Sequence, residues 1–120
     1  MIYVGTDIVQ ISRINKIIMD KGDCFLSHVF TQHEQSICNA KISPYIHYGG
    51  KFAAKEAVKK ALLSSNNKKN IPLNNIEIQN RDDGAPIVII KDGKSYFCNI
   101  QVSISHTDDY ATATAILEIK

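Results

Sequence analysis

The chain has 120 residues, of which 44% are hydrophobic and 22% charged, so it is long and apolar enough to fold around one core rather than remain disordered. Its net charge of +2 comes from 14 Lys and Arg against 12 Asp and Glu, too small an excess to indicate nucleic-acid binding. The three cysteines include no Cys-x-x-Cys pair, and no apolar run reaches the roughly 18 residues of a membrane span. We therefore expect one cytoplasmic domain over residues 1–120, without a disulfide framework or a zinc site.

The start of the chain predicts a strand followed by a helix. Residues 1–4 are apolar and rich in β-branched side chains, which favours a strand. Asp7 then falls at the predicted junction to the helix, which Gly22 is placed to end. The helix is indicated by isoleucines at helical spacing, namely Ile11, Ile14, Ile17 and Ile18.

Two more helices are predicted before residue 64. Thr31-Gln-His-Glu34 has the spacing of a capping box and predicts the start of one helix. Ser43-Pro44 predicts the start of another, with Ser as the cap and Pro in the first turn, running to about Leu63. Gly49-Gly50 lies inside this segment and favours a break, because each glycine costs a helix about 1 kcal/mol relative to alanine.

The second half of the chain predicts strands. Ser64–Asn70 is polar and predicts an exposed loop, and Asp92-Gly93 is typical of a hairpin turn. Four apolar segments indicate strands: one around Ile76 and Ile78, one at Pro86–Ile90, one with Ile100, Val102 and Ile104 in alternation, and one at Ala111–Ile119. The expected fold is α+β, with a mainly antiparallel sheet packed against helices.

The segment Lys51–Ala61 carries most of the candidate chemistry. Helical periodicity places Glu56 and Lys60 on one face and Lys51, Lys55 and Lys59 along an adjoining one. Such a pattern also fits a solvated helix surface with weak ion pairs, so the spacing alone does not identify a site.

Asp7 and Glu56 form a candidate metal pair. Mg²⁺ prefers oxygen ligands and is usually held by one or two carboxylates, with phosphate oxygens and water completing its shell. Two carboxylates from distant elements suit that arrangement, although an Asp after a strand, taken alone, is more often a helix cap or a turn former.

Other candidates are weaker on sequence alone. His106 ends an alternating strand, where a histidine either packs in a turn or donates a hydrogen bond to a phosphate. Arg13, Lys16 and Lys21 lie on or just after the first helix, where they form either a basic patch near Asp7 or a solvated surface.

Three motifs, in this order, resemble the holo-acyl-carrier-protein synthase family of 4'-phosphopantetheinyl transferases over nearly the full chain. They are Gly5-Thr-Asp7-Ile-Val-Gln-Ile-Ser-Arg13-Ile, Phe52-Ala-Ala-Lys55-Glu56-Ala-Val-Lys59-Lys60-Ala, and Val102-Ser-Ile-Ser-His106 with Tyr110-Ala111. The resemblance implies transfer of the 4'-phosphopantetheine arm of coenzyme A to a serine of acyl carrier protein, releasing adenosine 3',5'-bisphosphate. It also implies a homotrimer with active sites between subunits.

The resemblance assigns roles to matching positions. Asp7 and Glu56 become the Mg²⁺ ligands, and these two residues with Lys60, placed against the pyrophosphate, become the catalytic set. The expected coenzyme-binding residues are Lys51, Lys55, Lys60, Ser64 and His106. Arg13, Lys16 and Lys21 are expected to face the acidic recognition helix of the carrier protein.

This chain also departs from the family pattern. Lys51 stands where arginine is more usual, which removes a two-pronged phosphate contact. Leu63-Ser64-Ser65-Asn66 replaces a Gly-Thr-Gly segment, and Ala85 replaces a lysine between Gly84 and Pro86. We expect activity with weaker coenzyme binding, since the Ser64 and Ser65 hydroxyls and backbone amides substitute for the lost contacts.

Two other classes of function are open on sequence grounds. A metal-dependent phosphodiesterase or nuclease also uses carboxylates, but the chain shows neither a third acidic cluster nor an aromatic-rich basic surface. A non-catalytic module that binds coenzyme A or a carrier protein is the main alternative, and metal-dependent turnover distinguishes it from an enzyme.

Overall fold

The structure, a computed structural model, describes residues 1–65, 71–91 and 99–119. Four helices and five strands occur in these ranges, with a short 3-10 turn at Leu73–Asn75. In chain order they are β1 (Ile2–Gln10), α1 (Ile11–Lys21), α2 (Asp23–Val29), α3 (Gln32–Asn39), α4 (Pro44–Ser64), β2 (Ile76–Asn80), β3 (Pro86–Ile90), β4 (Asn99–His106) and β5 (Tyr110–Glu118). The expected α+β class is confirmed.

All the described strand pairings are antiparallel, as predicted. One sheet has the order β1-β5-β4, and β2 pairs with β3 in a second, two-stranded sheet. Alternate residues of β5 are buried, and the buried set consists of Ala111, Ala113, Ala115 and Leu117. These small side chains let α4 lie close to the sheet, in a core that also contains Ala57 and Val58.

Gly5 allows β1 to lie very close to the backbone of α4. A Cβ atom added at Gly5 would lie 2.0 Å from the backbone oxygen of Ala57 and 2.6 Å from the backbone nitrogen of Ala61. Side chains two residues apart on a strand point to the same face, so Asp7 is directed toward α4 as Gly5 is. The contact therefore brings Asp7 to the helix that carries Glu56 and Lys60.

The predicted break at Gly49-Gly50 is wrong, because α4 continues through both residues. Added Cβ atoms would lie 3.2 Å from Ile11 Cγ1 at Gly49 and 3.2 Å from Ile104 Cγ2 at Gly50. The glycines thus serve close packing of the helix against neighbouring elements, which outweighs their low helix propensity.

Two other expectations are corrected. Asp7 lies inside β1 rather than at its end, because pairing with β5 continues to Gln10 opposite Tyr110. Helix α2 was not predicted, and Ser43 makes no side-chain cap hydrogen bond to α4. The predicted turn at Asp92-Gly93 and residues 66–70 of the predicted loop lie outside the described residues.

Local signals elsewhere are confirmed. Glu34 N–H donates to Thr31 Oγ1 at 3.2 Å, and Thr31 N–H donates to Glu34 Oε1 at 2.9 Å, which completes the capping box. Gly22 ends α1 with a φ of 53°, in the left-handed region that favours glycine. None of the described helices combines the length and the apolar character needed to cross a membrane.

Candidate active site

Asp7 and Lys60 are joined directly across β1 and α4. Lys60 Nζ donates to Asp7 Oδ1 at 3.0 Å and to the backbone oxygen of Thr6 at 3.0 Å. The Lys60 side chain is 52% exposed, whereas that of Asp7 is 15% exposed. An accessible ammonium group is therefore held beside a mostly buried carboxylate.

The second oxygen of Asp7 has no hydrogen-bond partner among the described residues, although it is buried. Asp7 lines a cavity of about 280 Å³ with Glu56, Phe52 and Arg13, which we call the carboxylate cavity. Glu56 is partly exposed and has no ion-pair partner in the described part of the chain. Buried carboxylate oxygens are normally paired, so Asp7 Oδ2 and Glu56 are suited to a cation in this cavity.

The donor set fits a hard divalent cation. The described residues contain no group of three His, Cys, Asp or Glu side chains able to hold a metal together. A Mg²⁺ ion held by Asp7 and Glu56 would therefore take its remaining ligands from water and phosphate oxygens, which is its usual mode of binding in enzymes.

Helix α4 extends this side of the site beyond the cavity. Glu56, Lys60 and Ser64 are four residues apart, so they follow one another along a single face of the helix. Ser64 is exposed in the last position of α4, and the next residue, Ser65, uses its hydroxyl to donate to the backbone oxygen of Leu62 at 2.6 Å.

A second cavity of about 480 Å³, which we call the basic cleft, contains two of the expected coenzyme residues, Lys51 and His106. Its charged or titratable side chains are all basic: Lys41, His47, Lys51, Arg81 and His106. Burial lowers the pKa of His47, and the nearby Lys41, His106 and Lys51 lower it further. No carboxylate is among the described residues lining the cleft, so its chemistry suits an anion such as phosphate.

The two cavities lie on opposite sides of α4. The helix contributes Phe52 and Glu56 to the carboxylate cavity, and it contributes Ile46, His47, Gly50 and Lys51 to the basic cleft. At 3.6 residues per turn, the mean directions of these two sets differ by roughly 170°. No described residue lines both cavities, so the expected site residues form two separate groups within one chain.

Lys55, which was expected to bind the coenzyme, lines neither cavity. Its side chain has no exposed surface and is ion-paired with Glu34, which is equally buried. Burial lowers the pKa of Lys55, and the Glu34 carboxylate opposes this shift. The Lys55 ammonium also lies 5.3 Å from the centre of the Phe30 ring, inside the protein.

The basic residues of α1 are all exposed, as a docking surface requires. Arg13 lines the carboxylate cavity, whereas Lys16 and Lys21 lie on the surface of the same helix. Met19 is also exposed, at 73%. The structure therefore brings only Arg13 of these three cations to the edge of the candidate metal site.

Sequence reasoning missed several residues of the basic cleft. His47 was assigned no role, although it lies four residues before Lys51 on the predicted helix, a spacing that places both on one face. Arg81, Lys41 and Asn80 were likewise not among the predicted site residues. These three positions give no local signal, because only the tertiary fold brings them to His106.

Comparison with known proteins shows the family of this chain. The sequence profile of the 4'-phosphopantetheinyl transferase superfamily matches residues 3–115. The chain therefore belongs to this superfamily, the class to which its motifs had pointed.

Particular members of the superfamily are similar over almost their whole length. A holo-[acyl-carrier-protein] synthase of Thermodesulfovibrio yellowstonii is 41% identical over 114 residues, which cover 95% of this chain and 96% of that protein. An ACPS–CoA complex of Chronobacterium ammoniagenes has a TM-score of 0.85 at 26% identity and covers 100% of this chain and 98% of that one. A Helicobacter pylori holo-[acyl-carrier-protein] synthase in complex with coenzyme A has a TM-score of 0.83 at 28% identity and covers 96% of this chain and 99% of that one.

Proposed function

We propose that this chain is a Mg²⁺-dependent holo-acyl-carrier-protein synthase. It transfers the 4'-phosphopantetheine group of coenzyme A to a serine of apo-acyl carrier protein. The observation that carries the proposal is the buried Oδ2 of Asp7, which has no partner among the described residues, in a cavity shared with Glu56, with Lys60 bonded to the other Asp7 oxygen. The curated and solved relatives named above support the choice of substrates.

The reaction breaks the phosphoanhydride bond of the coenzyme and forms a phosphodiester bond to the serine, whose hydroxyl loses its proton. The serine oxygen forms a bond to the phosphorus that carries the pantetheine arm, the bond to the bridging pyrophosphate oxygen breaks, and adenosine 3',5'-bisphosphate leaves. Asp7 and Glu56 would hold the Mg²⁺, which would supply positive charge to the phosphate oxygens. Lys60 is placed to bind the pyrophosphate and stabilise the charge that grows on the leaving group.

The basic cleft is the proposed binding site for the other phosphate groups of the coenzyme. Lys51 and His106 were expected to contact the coenzyme, and the cleft adds His47 and Arg81 beside them. Because α4 separates this cleft from Asp7 and Glu56, we propose that one coenzyme uses the carboxylate cavity of one copy and the basic cleft of another.

A homotrimer with active sites between subunits meets this requirement. The side of the β1-β5-β4 sheet that faces away from α4 exposes several large apolar residues: Ile2, Val4, Ile8, Tyr110 and Ile116. Exposed apolar surface of this kind often marks contact with another protein, and here a second copy is the proposed partner. A sizing measurement in solution tests for a mass three times that of one chain.

The carrier protein is the proposed partner of α1. Arg13 at the edge of the carboxylate cavity, with Lys16 and Lys21, would attract an acidic helix and bring its serine toward the coenzyme. We propose a cytoplasmic location, in keeping with the free cysteines at positions 24 and 38.

Mass spectrometry of the carrier protein tests the activity. Apo-carrier protein incubated with this chain, coenzyme A and Mg²⁺ is expected to gain the phosphopantetheine mass. Asp7→Ala and Glu56→Ala are each expected to reduce the rate by about 10³-fold, since several kcal/mol of charge stabilisation is lost. Asp23→Ala, which removes an exposed carboxylate of α2, serves as the matched control and is expected to keep the native rate.

An unchanged carrier protein with the native chain would reject the proposal. Coenzyme binding without any transfer would instead support a non-catalytic binding module.

A further inference from the structure

The buried carboxylate of Glu34 joins three parts of the fold. Its Oε1 is ion-paired with Lys55 of α4 and accepts the N–H of Thr31 at 2.9 Å. Its Oε2 accepts the N–H of Ile78 in β2 at 2.7 Å. One side chain thus links the start of α3, the middle of α4 and the second sheet, and it does so without contact with water.

Lys51 holds β2 at the same point. Its Nζ donates to the backbone oxygen of Ile78 at 3.1 Å and to Asn80 Oδ1 at 3.2 Å. Ile78 lies opposite Val88 in the antiparallel pairing, where alternate residues direct both peptide groups away from the partner strand. The N–H and the C=O of Ile78 therefore form hydrogen bonds with Glu34 of α3 and Lys51 of α4. These two side chains hold the edge of β2 that does not pair with β3.

The hydrogen bonds continue from β2 into the basic cleft. Asn80 Nδ2 donates to the backbone oxygen of Gly84 at 3.1 Å, and Gly84 N–H donates to the oxygen of Arg81 at 2.8 Å. Asn80, Arg81 and Gly84 all line the cleft. The position of this turn thus depends on where Glu34 and the two lysines hold β2.

We propose that Glu34 and Lys55 act as a clamp that sets the position of the Asn80–Gly84 turn in the basic cleft, which makes Lys55 a positioning residue for coenzyme binding and not a coenzyme ligand. This inference rests on the proposed function, which places coenzyme A in the cleft. The competing possibility is that Lys55 leaves Glu34 and contacts the coenzyme itself.

Coenzyme affinity in single variants distinguishes the clamp from direct contact between Lys55 and the coenzyme. The clamp requires that Glu34→Gln and Lys55→Met each raise the dissociation constant for coenzyme A. The expected change is about tenfold, which corresponds to one lost hydrogen bond to a charged group. The maximal transfer rate at saturating coenzyme should stay within about threefold of native, because Asp7, Glu56 and Lys60 lie on the other side of α4. If Lys55 is itself a ligand, Glu34→Gln frees it, and the coenzyme binds as tightly as to native protein or more tightly.

Calorimetric titration with coenzyme A gives the dissociation constants, and transfer kinetics give the maximal rate. Lys59→Met is the matched control: it removes a neighbouring cation of α4 with no described ion-pair partner, and it is expected to leave both quantities unchanged. Unchanged affinity in Glu34→Gln, or a fall in maximal rate with no change in affinity, would overturn the clamp. A native chain that binds coenzyme A without transferring its arm would reject only the proposed function, since the main readout is binding.

The double variant Glu34→Gln/Lys55→Met covers the case in which the single variants fail to fold, because it removes both buried charges together. Amide hydrogen exchange then supplies the second readout. The clamp predicts faster exchange at the Gly84 amide of the double variant than of native protein, together with weaker coenzyme binding. Native exchange at Gly84 would overturn it, because loss of a direct ligand alone leaves the turn in place.

Discussion

Beside the carboxylate cavity the charged groups of α4 are open and incompletely paired, whereas the Lys55–Glu34 pair inside the protein is buried and bonded. Lys60 is 52% exposed and is paired with Asp7 Oδ1, while Asp7 Oδ2 has no partner among the described residues. Lys55 has no exposed surface and is bonded to Glu34. The two lysines lie five residues apart in one motif, so residue type does not distinguish them. Unpaired polar groups in a cavity can bind a substrate or a metal, whereas paired groups in the interior hold the fold together.

Substitution of each lysine by methionine should give the largest difference in stability and in transfer rate between these two pairs. Lys55→Met leaves the Glu34 carboxylate buried without its ion-pair partner, so we expect the free energy of unfolding to fall by about 3–5 kcal/mol. Lys60→Met removes an exposed ion pair and should cost under about 1 kcal/mol, but it should slow transfer by about 10²-fold. Urea unfolding and the carrier-protein mass shift measure the two effects. Similar losses of stability in both variants would contradict the contrast.

Glu77 is a second buried carboxylate that is paired, and it makes the stability of the fold depend on pH in the acid range. Burial by itself raises the pKa of Glu77, but hydrogen bonds from Lys91, Thr31 and Gln79 outweigh it and lower the pKa from 4.5 to about 2. Since the pKa is lower in the folded state, the stabilisation is present above pH 4.5 and is lost as the pH falls toward 2. Because Lys91 is 48% exposed and solvent screens the pair, the contribution is about 1–2 kcal/mol.

The pH dependence of unfolding in Glu77→Gln tests this assignment. We expect the variant to lose less stability than native protein between pH 4.5 and pH 2, because it has no carboxylate to protonate at position 77. Parallel pH curves for the two proteins would show that Glu77 is not responsible. Asp83, whose pKa is lowered by the Ala85 N–H and by Arg81, is present in both and cancels in the comparison.

A substitution at Gly5 tests the packing of β1 against α4 that positions Asp7 in the carboxylate cavity. Gly5→Ala places a methyl group against the rigid backbone of Ala57 and Ala61, so β1 must move away from α4, at a cost of about 1–3 kcal/mol. Mg²⁺-dependent transfer should fall as well, because Asp7 moves with β1.

Gly49→Ala, which lies in neither cavity lining, is the control for this substitution. Its Cβ would meet only side-chain atoms, the nearest being Ile11 Cγ1 at 3.2 Å, and alanine gains about 1 kcal/mol in helix propensity, so the net change in stability should be near zero. Equal transfer rates in the two variants would show that the contact at Gly5 does not position Asp7.

Local chemistry explains which parts of the fold were predictable from sequence. The capping box of Thr31 and Glu34, the helix stop at Gly22 and the strand at Pro86–Ile90 each depend on neighbouring residues, and each is confirmed. The continuity of α4 through Gly49-Gly50 and the length of β1 depend on contacts with distant elements, and both predictions were wrong.

The same distinction applies to the candidate site. The Asp7 and Glu56 pair could be proposed from carboxylate chemistry and family motifs, and the structure places both residues on one cavity. The burial of Lys55 could not be foreseen, since its partner Glu34 lies 21 residues earlier in the chain. The grouping of Arg81 with His47 and His106 likewise exists only in the folded chain.

Complementation between two inactive variants tests most directly whether the two sides of α4 serve one coenzyme through different copies. One variant is Glu56→Ala, and the other carries Arg81→Ala and His106→Ala. Each is assayed at a coenzyme concentration at which it is inactive alone. Unfolded and refolded together in equal amounts, they should recover roughly a quarter of the native transfer rate, because that fraction of the shared sites pairs an intact carboxylate cavity with an intact basic cleft. A refolded mixture no more active than the two variants measured separately would contradict a site shared between copies.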